Sequence, residues 1–406
     1  MEAFLKEHYT SHRVENLVYD ENPLLAILTK DTSGFGEHIK VPVIYGTGGR
    51  RLATFSQAQA RGLSTATKGK AFLMEPVQDF STATIDGITL ATAEGDQNSF
   101  LRKVTMEIDS VITELQNALG RTLYGNGWGS IGQVASSDGS TITLADPYST
   151  DFFEEGTEVV FSQSESSHAL RDSGDSLLVS SVDRDAGTVT FSTAVSNISG
   201  LQNGDFIFTK GDREDSGSPT RLCITGLDAW IPTTSIASND SFWNVNRFAD
   251  PARLAGSRYA PPGGTPINAV LLNMANIIKR RGGKLTHFFM HPDRWNELQH
   301  SLDSRVTFMK DVVVASVGFR AIEIETVAGT VKVMSDRNCP YNKVYGLNID
   351  TWSLFTGGPL CGALNEDGVG SMLRLSNSDG YEIRYGHYLQ LGCFAPGRNI
   401  VATLSA

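Results

Sequence analysis

The chain has 406 residues, 40% hydrophobic and 19% charged, with 40 glycines and a formal net charge of -11. That is apolar material for one large core or two to three small ones, as expected of a folded soluble protein. The same sequence argues against a membrane span, since no stretch approaches the roughly 18 consecutive apolar residues one needs, against an export signal, because Met1 to Lys6 lacks an apolar core, and against tight DNA binding through clustered Lys and Arg.

Residues 1–33 carry a short helical pattern (Phe4, Leu5, Tyr9, Val14, Leu17, Val18), and Asn22-Pro23 opens a second apolar run, Leu24 to Leu28. They are expected to form an arm rather than a core. Two extended runs follow, 37–45 and 70–85, interrupted by Pro42 and Pro76. Proline is tolerated on strands with a free edge, so the pair predicts a long, exposed, two-stranded projection. An isolated hairpin is marginal in water, so its partner is expected on another subunit.

The strongest periodicity runs over 96–124. Phe100, Leu101, Val104, Ile108, Val111, Ile112, Leu115, Leu119 and Leu123 form one apolar stripe opposite Arg102, Lys103, Glu107, Glu114 and Gln116. At 1.5 Å per residue this helix is roughly 40 Å long, and Gly125 and Gly127 stop it. From 131 to 211 short β-branched runs alternate with turns such as Asp138-Gly139 and Asp185-Ala186-Gly187. Strands at such short spacing predict a compact β-barrel or sandwich inserted into a host fold. The host resumes at Leu222 with a helix over 267–281, a buried strand over 286–290 and a helix launched by Pro292. Strands over 321–326, 330–334, 343–349 and 381–404 complete it. The host is α+β, and the segments before and after the barrel must close one core.

No constellation of residues supports catalysis, a cofactor or a metal. Gly127-Trp128-Gly129-Ser130-Ile131-Gly132 has the spacing of a dinucleotide loop, but it leaves a helix and enters strands, the reverse of such a site. His287 and His291 stand four apart, with Phe288 where a zinc hydrolase has its glutamate and no third ligand. Asp183-Arg184-Asp185-Ala186-Gly187 matches only the opening of a calcium loop and is expected to be a hairpin turn. Gly46 to Arg51 lacks the Lys-Ser/Thr and the following helix of a phosphate loop. Cys223, Cys339, Cys361 and Cys393 lie far apart without metal spacing and are expected to be buried thiols in a reducing cytosol.

The order of elements resembles the major capsid proteins of tailed bacteriophages, with the Hong Kong 97-like fold. Similar wording occurs in Asn22-Pro23-Leu24-Leu25, Leu123-Tyr124-Gly125-Asn126-Gly127, Gly226-Leu227-Asp228-Ala229-Trp230-Ile231, His291-Pro292-Asp293-Arg294-Trp295 and Tyr345-Gly346-Leu347-Asn348 with Trp352. The resemblance implies an N-terminal arm (1–33), an extended loop (34–83), a spine helix with the start of the peripheral domain (84–129), an inserted β-barrel (130–217), the peripheral domain continued (218–264), an axial domain (265–370) and a peripheral return strand (371–406). It further implies a structural, non-enzymatic virion protein that self-assembles into hexamers and pentamers. These close an icosahedral shell, assembled in the host cytoplasm, around double-stranded DNA that is enclosed but not bound specifically. Scaffold, portal and decoration proteins are its expected partners. The loop and arm are the natural intersubunit clamps, with contacts expected from Arg50, Arg51, Phe55, Phe72, Met74, Phe4 and Leu5. The alternative is an adhesin-type module binding carbohydrate through the barrel, which fold alone never establishes.

Overall fold

A computed structural model describes residues 22–33, 35–46, 51–62, 67–86, 97–302, 321–364, 373–375 and 379–404. The chain divides into two compact units: one takes the described residues of Met1–Pro76, Phe80–Thr113 and Trp230–Ala406, the other Val77–Asp79 and Glu114–Ala229. The helical pattern expected over Phe4 to Val18 lies outside the described residues.

The first elements are α1 (Pro23–Ile27), β1 (Thr29–Asp31), β2 (Ile39–Gly46), α2 (Phe55–Gly62), β3 (Lys68–Met74) and β4 (Val77–Asp86). Pro23 opens α1, where its missing N–H costs nothing, and Leu24 and Leu25 are fully buried. With the parallel pairing of β1 on β16 (Trp352–Thr356), residues 22–31 are tied into the chain's own sheet, where an arm was expected, while Thr32 and Ser33 are exposed. The run 70–85 is likewise two strands in different sheets. Pro76 falls in the gap between them; β3 pairs antiparallel with β2, while β4 pairs with β19 (Gly380–Cys393).

Helix α3 (Gln97–Tyr124) follows the predicted stripe: Ile108, Val111, Ile112, Leu115, Leu119 and Leu123 are buried, while Glu107 and Glu114 are exposed. Gln116, expected on the polar face, is buried as well. The side chains of Arg102 and Lys103 lie outside the described residues.

In the second unit β5 (Ser130–Asp138), β6 (Thr141–Leu144), β7 (Glu158–Ser162), β8 (Leu177–Asp183), β9 (Thr188–Phe191) and β10 (Phe206–Thr209) close an antiparallel barrel in the order β10-β5-β6-β9-β8-β7. Strict alternation along β6 and β9 sends Ile142, Leu144, Val189 and Phe191 into a core shared with Val134, Phe153, Phe161 and Ile207. Asp205, almost fully buried, accepts two hydrogen bonds from the Arg171 guanidinium, each 2.8 Å. That bidentate pairing offsets the desolvation of both charges. The glycine spacing 127–132 is a helix-to-strand connection: the Asn126 side chain caps Trp128 N at 3.1 Å, and Gly127 and Gly129 take φ of 88° and 79°.

Helix α4 (Leu227–Trp230) ends the second unit, with its last residue, Trp230, in the first, which is completed by α5 (Pro251–Leu254), β11 (Ser257–Tyr259), α6 (Ile267–Arg280), β12 (His287–Met290), α7 (Pro292–Leu302), β13 (Ile322–Thr326), β14 (Gly329–Ser335), β15 (Lys343–Leu347), β16, β17 (Gly362–Ala363), β18 (Leu373–Arg374), β19 and β20 (Ile400–Thr403). One sheet runs β11-β20-β15-β12-β14-β13. Its core joins Val270, Leu271, Met274 and Ile278 of α6 to Phe288, Val331, Val333, Val344 and Ile400. Gly346 lets β15 pass close to its neighbours, since a Cβ there would meet Ile400 at 2.8 Å and Phe288 at 2.9 Å. The other sheet runs β1-β16-β19-β17, with β18 and β4 also pairing β19. Sheet membership therefore crosses the boundaries drawn at 265 and 371. Trp352–Thr356 pairs with the long β19, and the predicted strand 381–404 breaks at Pro396–Arg398, so that β20 enters the sheet of β12.

Two histidines in this unit make its stability depend on pH. Burial, reinforced at His287 by nearby Lys332, lowers the pKa of His287 to about 4, and burial alone lowers His387 to about 4. The native state holds both neutral, whereas the unfolded chain protonates below its ordinary value near 6.5, so this stability is present above pH 6.5 and is lost as pH falls toward 4. Each histidine is expected to cost about 2 kcal/mol at pH 5 relative to pH 7.5. Urea midpoints at the two pH values check this, and His287→Gln with His387→Gln should flatten the difference.

Candidate assembly surfaces

Strands have a period of two, so each strand of the β2–β3 ladder has one inward and one outward face. Ile39, Val41 and Val43 of β2 and Phe72 and Met74 of β3 are buried, while Lys40, Pro42 and Ile44 point to solvent. Phe72 sits edge-on to Trp230 at 4.9 Å and to Phe242 at 6.0 Å. Leu73 N donates to Trp243 O at 3.2 Å, and the Arg253 guanidinium donates to Tyr45 O at 2.6 Å. The base of the loop is thus fastened to its own subunit. This corrects the expectation for Phe72 and Met74, which complete a core inside the chain and offer no surface to a neighbour.

Arg51 and Phe55 are both exposed, Phe55 to 83% at the start of α2. Arg50, Phe4 and Leu5 lie outside the described residues. Sequence reading missed Ile44, 73% exposed on β2, although alternation with Val41 and Val43 marks it as outward-facing. It also missed Val327, 68% exposed in the turn between β13 and β14. Among the described residues the β2–β3 ladder has no third strand, although Leu73 N of β3 and Tyr45 O of β2 are already bonded to Trp243 O and Arg253.

The residues considered for chemistry have structural partners. Asp183 accepts from Asp185 N at 3.1 Å and Ala186 N at 2.9 Å, a side-chain-capped hairpin turn. His287 pairs its Nδ1 with Thr286 Oγ1 at 3.0 Å and stacks on Phe289, while His291 packs edge-on against Tyr341. No group of three His, Cys, Asp or Glu with metal-binding geometry occurs among the described residues. Cys339, Cys361 and Cys393 are buried thiols, and burial pushes Cys393 up to about 12, so it is inert as a nucleophile. Cys223 is only partly buried as a residue, yet desolvation raises its pKa as well. No helix among the described residues is long and apolar enough to cross a membrane.

The net charge is unevenly distributed. Residues 130–217 hold 15 of the 45 acids and 4 of the 34 Lys and Arg, a net of -11, leaving 30 acids and 30 bases elsewhere. The acidity of the chain therefore belongs to the barrel and the segment just after it, and the remainder is neutral.

No family model matches the sequence, and neither does any curated protein. Solved structures do match. The capsid asymmetric unit of Cyanophage A-1(L) superposes with a TM-score of 0.52 at 14% identity, covering 94% of this chain and 92% of that one. The fold is that of a phage capsid subunit. This capsid fold is α+β and Hong Kong 97-like, as the element order implied. Weaker likeness extends to Gordonia phage Cozz, with a TM-score of 0.45 at 9% identity over 95% of this chain and 87% of that one. The Satellite phage P4 procapsid gives 0.40 at 9% identity, over 99% and 94%.

Proposed function

We propose that this chain is the major capsid subunit of a tailed phage, which self-assembles into hexamers and pentamers that close an icosahedral head around double-stranded DNA. The supporting observation is the capsid fold over nearly the whole chain rather than over one module. The role is structural: side chains that could have signalled chemistry are engaged in turns and cores, and the surface features left over are contacts. Ring assembly needs heterologous surfaces that repeat around an axis. The β2–β3 ladder with Ile44, Arg51 and Phe55 supplies one such surface, and residues 1–21 are assigned as a second clamp that includes Phe4 and Leu5. Helix α3 serves as the spine, the sheet containing β12 as the axial domain and the sheet containing β19 as the peripheral domain. The acidic barrel is an inserted domain on the outer face, away from the packaged polyanion. Assembly takes place in the host cytoplasm, with scaffold and portal proteins as partners.

Deleting residues 48–67 tests the clamp. The deletion removes exposed Phe55 and keeps Phe72, Met74 and the Trp230 core, so the subunit should stay folded, with its melting temperature shifted by only a few degrees. Closed shells should be absent from the product when it is sized by sedimentation. Normal shells from the deletion would contradict the assignment of the loop.

A further inference from the structure

From Pro251 to Pro292 the sequence carries six cations, Arg253, Arg258, Lys279, Arg280, Arg281 and Lys284, and no carboxylate. The last four fall at the C-terminus of α6 and in the turn after it, and all are exposed. Arg398, also exposed, joins them from the turn between β19 and β20: its Cα lies 3.7 Å from where a Cβ on Gly283 would stand. That turn brings no counter-charge, because no Asp or Glu follows Glu382. Among the described residues none of Lys279, Arg280, Arg281, Lys284 and Arg398 has an ion-pair partner; Arg281 donates to the neutral Ser257 hydroxyl. Half-buried Arg258 stands close by. Its guanidinium is pulled below its ordinary pKa by burial and then by the positive charges of Arg247 and Arg281, and its buried Nη2 has no hydrogen-bond partner.

Cations in the last turn of a helix are stabilised by its carbonyl end, which accounts for Lys279 and Arg280. It does not account for Lys284 and Arg398, which lie outside the helix. Five like charges without a counter-ion repel one another in the free subunit, and a polyanion relieves that repulsion. Protein interface cores enrich Arg but deplete Lys and are built on apolar and aromatic anchors, and the segment 279–284 has no such anchor. Contacts to a phosphate backbone need only mobile cations and accessible backbone, and Gly282, at φ 78°, has open space around it.

We propose that Lys279, Arg280, Arg281, Lys284 and Arg398 form a phosphate-binding surface that contacts the backbone of double-stranded DNA without reading its sequence. The choice of duplex DNA as the polyanion rests on the capsid reading. The net charge of -11 does not oppose this, because that charge is confined to residues 130–217.

The test is fluorescence anisotropy of the full-length subunit with a random-sequence duplex of about 30 base pairs, titrated at several salt concentrations. Neutralising three phosphates makes affinity fall about 40-fold between about 50 and 200 mM salt. The variant Lys279→Ala/Arg280→Ala/Lys284→Ala/Arg398→Ala is expected to lose at least tenfold in affinity at low salt and to flatten that dependence. The charge-keeping variant Lys279→Arg/Arg280→Lys/Lys284→Arg/Arg398→Lys should bind within about threefold of the unaltered chain, which separates lost charge from lost folding. Binding that is independent of salt, or unchanged in the neutral variant, overturns the proposal. So does a neutral variant that fails to assemble when neither protein binds DNA, because the patch then docks on an acidic surface of another copy. Salt-dependent binding by a chain that forms no particles would leave the phosphate surface standing and remove the capsid reading instead.

Discussion

Replacing Leu115 with Asp should abolish folding. Leu115 is 2% exposed on the stripe of α3, flanked by Ile108, Ile112, Leu119 and Leu123. Removing a buried leucine side chain costs about 2–5 kcal/mol, and burying a carboxylate with no partner adds several more. The sum matches or exceeds the roughly 5–15 kcal/mol by which domains are stable. Circular dichroism should show no cooperative melt, and the product should be aggregated. Glu107→Gln and Glu114→Gln lie on the exposed side of the same helix and should change stability by no more than about 0.5 kcal/mol, with any defect confined to assembly. Equal loss of folding in both classes of variant would mean that the polar face is packed too.

Trp230→Ala is expected to cost about 3–5 kcal/mol, the range for removing a large buried aromatic. Trp230 is fully buried, edge-on to Phe72 at 4.9 Å and Phe242 at 5.0 Å and near Trp352 at 6.4 Å, and its Nε1 donates to Leu391 O at 3.0 Å. The cluster joins the β2–β3 ladder to β16 and β19. Neighbouring Trp352 donates in turn to Asn399 Oδ1 at 3.0 Å, an oxygen that also receives Asn348 N at 2.8 Å. The loss should appear as a lower urea midpoint with an unchanged slope. Trp230→Phe should recover a large part of it, because the ring contacts persist and only the hydrogen bond is lost, worth about 1 kcal/mol plus the desolvation of the Leu391 carbonyl. A Trp230→Ala midpoint within error of the unaltered chain would remove this cluster as the anchor of the loop.

Local pattern was a good guide where pairing is local. The stripe of α3 and the alternation of β6 and β9 are written in consecutive residues, so both helix and barrel could be read from them. Non-local pairing was another matter. Nothing in the run 70–85 says that Pro76 separates strands of two sheets, or that 381–404 does the same at Pro396. A period of two also fixes which side chains share a face without saying which face is inward, so Phe72 and Met74 were expected outside while Ile44 went unnoticed. Residues 22–28 looked like part of an arm because Leu24 and Leu25 stand in a short run, and only their distant partners bury them. The cations of 279–284 were hidden by a net charge summed over the whole chain.

Electron microscopy of the purified full-length protein is the most direct measurement of the central claim. The capsid reading predicts closed shells, or rings of six and five subunits, from this chain alone or with its scaffold. Particles that remain monomeric under all assembly conditions, with no shells and no rings, would contradict it.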